Sequence, residues 1–194
     1  MYFSQLSLNM MECKGLNLKN SYDLHKLVYN LFPNNTKRDF LFVDKGVKDN
    51  KRIIWVQSET KPFELGYGKL AIKEFPETFF KHKTFTFKTI VNVVKYNEDK
   101  KRIAVKDRNE IVSWFSDVCK KNNIVSKNVF VKNVTADIFE KGDNQKVTLN
   151  VVEIVGSVAC NDEESLKKFV STGVGRGKSF GYGLITLFPI KEGE

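Results

Sequence analysis

The stretch FTFKTIVNVV, residues 85–94, is the strongest strand signal in this chain of 194 residues, because β-branched and aromatic residues dominate it. A helix is predicted to follow at 108–121, where apolar residues recur at helical spacing. Asp107 and Glu110 can cap the start of this helix. Four residues form its apolar stripe and are expected to be buried: Ile111, Trp114, Phe115 and Val118.

Two long strands are predicted after this helix, at about 128–139 and 146–159, with the turn sequence KGDNQK (141–146) between them. A further amphipathic helix and a last strand, LITLF (184–188), complete this half of the chain. When the short IAV segment (103–105) is counted with the first strand, the order is strand, helix, strand, strand, helix, strand. That order is typical of a ferredoxin-like domain.

The first half of the chain begins in the same way. Residues 2–9 alternate roughly in polarity, as a strand does, and residues 22–32 carry one apolar stripe at helical spacing. Ser21 can cap this helix, and Pro33 is expected to stop it.

Two strands are predicted after that helix, DFLFVD (39–44) and RIIWVQS (52–58), and a further strand is expected near 72–80. The sequence therefore predicts an α+β fold of two tandem ferredoxin-like, or RRM-like, βαββαβ domains. We expect the first domain to span 1–83 and the second 84–194.

The composition indicates a globular protein with a polyanionic partner. Hydrophobic residues make up 41% and charged residues 28%, which excludes a disordered chain. No apolar stretch approaches the roughly 18 residues of a membrane span, and MYFSQLSLNM (1–10) lacks the basic start of a signal peptide. The net charge of +9 favours phosphates as ligands. Cys13, Cys119 and Cys160 lack metal-site spacing, so we expect reduced thiols in a cytoplasmic protein.

His25 is the sharpest single candidate for chemistry. It lies outside the apolar stripe of the 22–32 helix and shares a face with Tyr22 and Tyr29, and Lys26 is its neighbour in sequence. It also lies in the first helical turn, where free backbone N–H groups favour an anion such as phosphate. An ordinary surface histidine would produce the same pattern, so both interpretations stay open.

The segment GVGRGKSFGYG, residues 173–183, is a glycine-rich loop between the last helix and the last strand. It is not a Walker A loop, because only three residues separate Gly173 from Gly177 and because a helix precedes it. The dinucleotide fingerprint also fails, since its third glycine position is not glycine. Glycines let a backbone approach phosphates closely, and Arg176 and Lys178 add charge. The alternative is a connection that needs glycine for tight packing.

Other candidate sites are weaker. The segment KHKTFTFK (81–88) interleaves basic and aromatic residues, as single-stranded RNA sites do. Phe85 and Phe87 share a strand face, however, so they more often belong to a core. The acidic run 162–164 fits a helix start better than a metal site. Neither a metal-ligand cluster nor a Ser-His-acid or Cys-His signature is apparent, so we expect no metal and no cofactor.

Several segments resemble the CasE family, the CRISPR repeat-RNA processing endoribonucleases. The resemblance extends over most of the chain in the same order and at a similar total length. Lys26 stands where we would expect arginine, and Gly177 and Tyr182 replace residues more common in the loop. The segments that carry the resemblance are SYDLHKLVYNLFP (21–33), RDFLFVD (38–44), FTFKTIVNVVK (85–95), KKR (100–102), NEIVSWFSDVCKKNNI (109–124) and GVGRGKSFGYGLITL (173–187).

This resemblance implies a subunit of a type I-E surveillance complex, with the other subunits of that complex as partners. Such a protein binds a stem-loop in the repeat of a precursor RNA, cuts at its 3′ base and retains the product. It implies no membrane and no small-molecule cofactor. His25 and Tyr22 take the catalytic positions in the first domain, together with Lys26. The expected RNA contacts are Arg176, Lys178, Gly175, Gly177, Arg38, Lys101 and Arg102.

The expected reaction is attack of a 2′-OH on the adjacent phosphate, which needs oriented groups, two proton transfers and stabilised negative charge. His25 is expected to act as general acid or base, because imidazole titrates near neutral pH. Tyr22 would hydrogen-bond the phosphate or the 2′-OH, and Lys26 or Lys178 would stabilise the charge. The alternatives are a non-catalytic RNA-binding subunit of the same fold, a small-molecule enzyme of the ferredoxin-like class and a structural module.

Overall fold

The N-terminal half of the chain builds the first four-stranded sheet. The structure is a computed structural model, and it describes residues 1–34, 36–141 and 145–190. Its strands run in the order β2-β3-β1-β4, and every neighbouring pair is antiparallel. The predicted α+β fold is confirmed, and β1 begins and ends as expected. The elements of this half are β1 (Tyr2–Asn9), α1 (Met10–Gly15), α2 (Ser21–Tyr29), β2 (Phe40–Lys48), β3 (Lys51–Ser58) and β4 (Lys69–Glu74).

The second sheet has the order β10-β5-β9-β8 and is also antiparallel throughout. Its strands and helices follow the predicted βαββαβ order. The IAV segment is an exception, because β7 pairs with β6 in a separate two-stranded ribbon and does not extend the first strand. The elements are β5 (Thr84–Asn92), β6 (Val94–Tyr96), β7 (Arg102–Ala104), α3 (Arg108–Lys121), β8 (Val125–Lys141), β9 (Gln145–Ala159), α4 (Glu163–Thr172) and β10 (Ile185–Pro189).

The first half departs from the predicted pattern between β3 and β4. Residues 59–68 form no helix, so this copy of the fold lacks its second helix. The strand expected near 72–80 ends at Glu74, and a 3₁₀ helix, Glu77–Lys81, follows it. Pro76 lies between the two; it has no N–H to donate to a neighbouring strand, which favours this ending. The proposed domain boundary between residues 83 and 84 coincides with the start of β5.

The N-terminal cap of α2 is Asn20 and not the predicted Ser21. Asn20, not Ser21, accepts the N–H groups of Tyr22 and Asp23, and the Asp23 carboxylate accepts the N–H of Asn20 in return. An extended Asn20 can place its side-chain oxygen over the first turn. The helix ends at Tyr29, three residues before the predicted end. Ser21 is thereby free to bond elsewhere.

Each sheet buries one face under its helices. In the second domain, Phe85 and Phe87 are 0% and 3% exposed, so both belong to the core and neither can stack on a base. Phe115 of α3 is fully buried between sheet and helix, as predicted. Trp114 and Val118 pack against the same core but are only partly buried, so the prediction that they are buried was wrong. The Trp114 ring lies beside Gly175 of the glycine-rich loop.

The two domains contact each other through the opposite face of the first sheet. Leu41 and Val43 of β2 form a small buried cluster with Leu184 of the second domain. The side chain of Gln57 donates a 2.8 Å hydrogen bond to the carbonyl of Val170 at the same interface. Apolar packing and a buried hydrogen bond thus hold the domains in one arrangement.

A long hairpin also joins the domains. β8 and β9 have 17 and 15 residues, far more than the usual five or six, and the predicted turn KGDNQK includes residues 142–144, which lie outside the described residues. The distal half of β8 contacts α2 of the first domain. It carries Asp137 and Lys141 to the start of that helix. Across the described parts of the chain, no helix is both long and apolar enough to span a membrane.

Candidate active site

His25 lies at the contact between the two domains. Its Nδ1 atom is 2.8 Å from the carbonyl oxygen of Ser179, which belongs to the glycine-rich loop. A carbonyl oxygen can only accept a hydrogen bond, so Nδ1 carries the proton. In the neutral imidazole, Nε2 is then an acceptor. The loop of the second domain therefore selects the tautomer of a histidine in the first.

Three aromatic rings surround the imidazole: Tyr22, Tyr29 and Phe180, with ring centroids 5.9, 4.2 and 5.6 Å away. Burial lowers the pKa of His25 below its ordinary value of 6.5, although the bond to Ser179 acts in the opposite direction. The positive charges of Lys141, Arg38 and Lys26 lower the pKa of His25 further. The side chain is consequently neutral at pH 7 and able to accept a proton.

Tyr22 and Lys26 share this end of α2 with His25. The Lys26 ammonium lies 4.2 Å from the centroid of the Tyr22 ring, and its Nζ is 4.0 Å from the Asp23 carboxylate. The Lys26 side chain is 58% exposed, so an ion pair at that distance leaves it available to an anionic ligand. The structure thus brings the three predicted catalytic residues together on consecutive turns of one helix.

A hydrogen-bonded network holds the start of α2 in place. The Asp137 Oδ2 atom accepts the hydroxyl of Ser21 at 2.6 Å and the phenol of Tyr182 at 2.7 Å. Burial, and then the bond to the Asp137 carboxylate, raise the pKa of Tyr182, so it remains a protonated donor. One carboxylate from β8 therefore connects the helix that carries His25 to the glycine-rich loop.

A basic cleft of about 1140 Å³ adjoins His25, because Ser179 and Phe180 form part of its wall. Among the described residues, no acidic side chain lines this cleft. Six of the seven residues predicted to contact RNA line it, and Lys101 is the exception. The basic residues of the cleft are Arg38, Arg102, Lys106, Lys141, Arg176 and Lys178, and Gly175 and Gly177 add exposed backbone.

Arg176 and Arg102 meet at Tyr96 on the β6–β7 ribbon. Arg176 Nη2 and Arg102 Nε donate to the Tyr96 hydroxyl at 2.9 and 3.4 Å. The hydrogen bond from Arg102 lowers the pKa of Tyr96. Gly177, with a φ of +76°, precedes a short 3₁₀ turn over Lys178–Phe180. The glycine-rich loop thus forms part of the cleft wall, and its Arg176 and Lys178 line the cleft.

Lys178 has a different environment from the one its sequence position suggested. Its Nζ donates a 2.7 Å hydrogen bond to the carbonyl of Thr172, the last residue of α4. Burial and the nearby charge of Arg38 lower the pKa of Lys178. The Lys178 ammonium therefore already binds a carbonyl at a helix end. Of the two lysines expected to stabilise phosphate charge, Lys26 has the weaker contacts within the protein.

Three residues near His25 and the cleft were not predicted from the sequence: Lys141, Lys106 and Asp137. Lys141 lies 5.1 Å from the centroid of the Phe180 ring and influences His25. These positions depend on how far the β8–β9 hairpin extends over α2, and no local pattern reports that distance. Within the described ranges, no group of three or more His, Cys, Asp or Glu side chains could hold a metal ion, and the three cysteines are buried free thiols.

Solved structures of similar fold include RNA-bound Cse3 and Cas6e. The CRISPR endoribonuclease Cse3 bound to a 19-nucleotide RNA has a TM-score of 0.84 and 21% identity, over 97% of this chain and 100% of that one. Thermus thermophilus Cse3, bound to an RNA representing a pre-cleavage complex, has a TM-score of 0.82 and 21% identity, over 97% and 98%. Cas6e from Escherichia coli K-12 has a TM-score of 0.77 and 22% identity, over 98% and 100%.

The family assignment comes from the sequence itself. No curated protein matches the chain. The model of the CRISPR associated protein family matches residues 1–189, which is nearly the whole length. The chain therefore belongs to the family of CRISPR-associated proteins.

Proposed function

We propose that this protein is an endoribonuclease that binds a stem-loop in CRISPR precursor RNA and cleaves at its 3′ base without a metal ion. The observation that carries the proposal is the bond from His25 to Ser179 at the edge of the basic cleft. Family membership supports CRISPR RNA as the substrate. Similar folds include Cse3 bound to RNA and a subunit of a CRISPR RNA-guided surveillance complex. We include retention of the product in such a complex, in the cytoplasm, in the proposal.

The chemistry assigns each group a role. Neutral His25 accepts the proton of the 2′-OH through Nε2, and the 2′ oxygen forms a bond to the adjacent phosphorus. The bond from phosphorus to the 5′ oxygen breaks, and that oxygen takes a proton from Lys26 or from water. Tyr22 orients the phosphate, and Lys26 stabilises its growing charge. The upstream product ends in a 2′,3′-cyclic phosphate, or in a 3′-phosphate after hydrolysis.

In this proposal the basic cleft binds the RNA, and the residues of α2 cleave it. Double-stranded RNA is recognised mainly through its shape, phosphates and 2′-hydroxyls. Six cations, with no carboxylate among the described lining residues, suit such a backbone, and the glycines permit close approach. A hairpin held there would place the end of its stem near Ser179 and hence near His25.

The test is cleavage of a repeat stem-loop RNA in EDTA. Wild-type protein should cut it once and leave a cyclic or 3′-phosphate. A substrate with 2′-deoxyribose at the cleaved nucleotide should bind and stay intact. His25→Ala should slow cleavage about 10²–10⁴-fold and leave affinity nearly unchanged, since proton transfer matters mainly in the transition state.

Three outcomes would contradict this function. Cleavage of the deoxy substrate would exclude 2′-OH attack, and loss of activity in EDTA would exclude the metal-independent route. Tight binding of the hairpin without any cleavage would instead favour the non-catalytic RNA-binding subunit.

A further inference from the structure

The first sheet has an open face on the side away from α1 and α2. In the strand register, Gln5 lies between Ala71 and Trp55, and Ser7 lies between Lys69 and Ile53. Their neighbours along β1, such as Leu6 and Leu8, are buried under the helices. The second domain covers one part of this open face. The remainder lines a shallow cavity of about 970 Å³.

Lysines dominate the charge of this cavity. Its four lysines are all exposed, and none of them lies within ion-pair distance of a described acidic residue. Two carboxylates also line the cavity, Glu12 and Asp49. Both oxygens of Glu12 are occupied, by the N–H groups of Asn9 and Gly68. The lysines are Lys45, Lys48, Lys51 and Lys69, and we call this surface the lysine face.

An aromatic side chain lies in the lysine face. Trp55 is partly buried, and its Nε1 donates a 3.1 Å hydrogen bond to the side-chain oxygen of Gln5. The Lys45 ammonium lies 4.4 Å from the centroid of the Trp55 ring. Burial and the positive charge of Lys88 lower the pKa of Lys45. Glu153, which pairs with Lys88, offsets part of this repulsion. One ammonium therefore lies over an aromatic ring, a position that the π-face of a base could take while the lysine binds a phosphate.

We propose that the lysine face is a second RNA site, which binds single-stranded RNA continuing from the hairpin. No residue that the structure describes lines both this cavity and the basic cleft, so the two sites are separate. In this proposal the lysines contact successive phosphates. A base displaces the Lys45 ammonium and stacks against the Trp55 ring, and the Gln5 side chain hydrogen-bonds a base edge. The inference rests on the proposed function in taking RNA as the polyanion and the bound hairpin as the segment from which the single strand continues.

Single-stranded RNA fits the lysine face better than an acidic protein segment does. An open sheet with an aromatic ring and flanking cations is the arrangement in which RRM-type sheets bind unstacked bases. An acidic peptide could bind the lysines, but its carboxylates would not stack on the Trp55 ring that lies beside the Gln5 amide. A duplex is too stiff and too wide to bring its bases to the sheet.

The test compares hairpins with and without a single-stranded arm of about ten uridines, a usual site size. Wild-type protein should bind the armed hairpin at least about fivefold more tightly. The triple variant Lys48→Gln, Lys51→Gln, Lys69→Gln should lose that gain and bind the blunt hairpin as wild type does. The matched control Lys120→Gln, Lys121→Gln, Lys168→Gln changes the charge equally on α3 and α4 and should keep the gain.

Several results would overturn the lysine face as an RNA site. An arm that adds nothing in wild type, or a gain that persists in the triple variant, excludes it. Polyglutamate that competes as well as oligouridine at equal charge would assign the surface to an acidic protein. If the blunt hairpin is neither bound nor cut, the proposed function fails. Binding of oligouridine alone then still tests the lysine face. Its binding should be lost in the triple variant only.

A spectroscopic measurement locates the base. The chain has two tryptophans, so Trp114→Phe leaves Trp55 as the sole reporter. Oligouridine should quench its fluorescence, and added salt should reverse the quenching. Binding of oligouridine without any change in Trp55 emission would contradict the stacking and leave the placement on this face unsupported.

Discussion

The Nδ1 atom of His25 and the carbonyl oxygen of Ser179 are 2.8 Å apart, although 154 positions separate the two residues in the chain. The bond connects the first turns of α2 to the glycine-rich loop of the other domain. Any change in how the domains pack would therefore alter the tautomer and the orientation of the imidazole. This coupling makes the pH dependence of cleavage a sensitive measure of the site.

The first prediction concerns that pH dependence. If neutral His25 is the general base, cleavage falls as the pH drops through the pKa of His25, which burial and nearby cations hold below 6.5. Lys141→Gln removes one of those cations and should move the acid limb to higher pH. Single-turnover rates between about pH 4.5 and 8 measure the limb. Lys120→Gln, the same charge change on α3, should leave it in place.

The result contradicting this assignment is an acid limb that stays at the wild-type pH in Lys141→Gln. A rate that instead falls as the pH rises through the pKa of His25, which lies below 6.5, would make protonated His25 the active form.

The second prediction concerns salt. Arg102 and Arg176 line the basic cleft and meet at Tyr96. Each phosphate contact on a duplex contributes about −0.9 to the slope of log affinity against log salt concentration. The double variant Arg102→Gln, Arg176→Gln should therefore flatten the slope for the hairpin by about 2. The pair Lys120→Gln, Lys121→Gln controls for net charge. An unchanged slope in the arginine variant would show that the β6–β7 ribbon does not contact the RNA.

The sequence pointed to the glycine-rich loop and to the residues of α2, but not to the residues that the β8–β9 hairpin brings to them. Clustered cations and glycines are local features, so Arg176, Gly175 and Gly177 could be identified without knowledge of packing. Lys141 and Asp137 could not, because their distance from α2 depends on how far the β8–β9 hairpin extends across the domain contact. The cap at Asn20 was missed because Asn and Ser are both good caps, and only the backbone geometry selects between them.

The third prediction tests the glycine-rich loop. Gly183 has a φ of +88°, and a Cβ there would overlap the carbonyl oxygen of Val174. Gly183→Ala should lower the free energy of unfolding by about 1–3 kcal/mol. Gly15→Ala is the matched control, because a Cβ at Gly15 meets no atom within 4 Å. Urea unfolding measures both, and equal midpoints for the two variants would show that the loop is differently folded.

The fourth prediction separates two neighbours on α3. Phe115 is fully buried and stacks on Phe87 with a centroid distance of 4.7 Å, so Phe115→Ala should cost about 3–5 kcal/mol of stability. Trp114→Ala should cost less, because Trp114 is only partly buried. It should still weaken hairpin binding, since its ring supports Gly175. A larger loss of stability for Trp114→Ala than for Phe115→Ala would reverse this assignment.

The last prediction concerns Asp137 as a positioning residue. Its carboxylate accepts both Ser21 and Tyr182, and so fixes the start of α2 against the glycine-rich loop. Asp137→Ala leaves both hydroxyls without that acceptor and loosens the helix that carries His25. A shift of the base by about 1 Å can cost roughly 10²-fold in rate, so cleavage should slow by about 10–100-fold while hairpin affinity stays within about twofold. Tyr182→Phe removes one of the two bonds and should have a smaller effect. The acid limb of the pH profile separates positioning from proton transfer. Loosening α2 weakens the His25–Ser179 bond, and that bond raises the pKa of His25, so the limb in Asp137→Ala should stay at the wild-type pH or move to lower pH. A limb displaced to higher pH would contradict the positioning role, and a wild-type rate would show that α2 keeps His25 in place without Asp137.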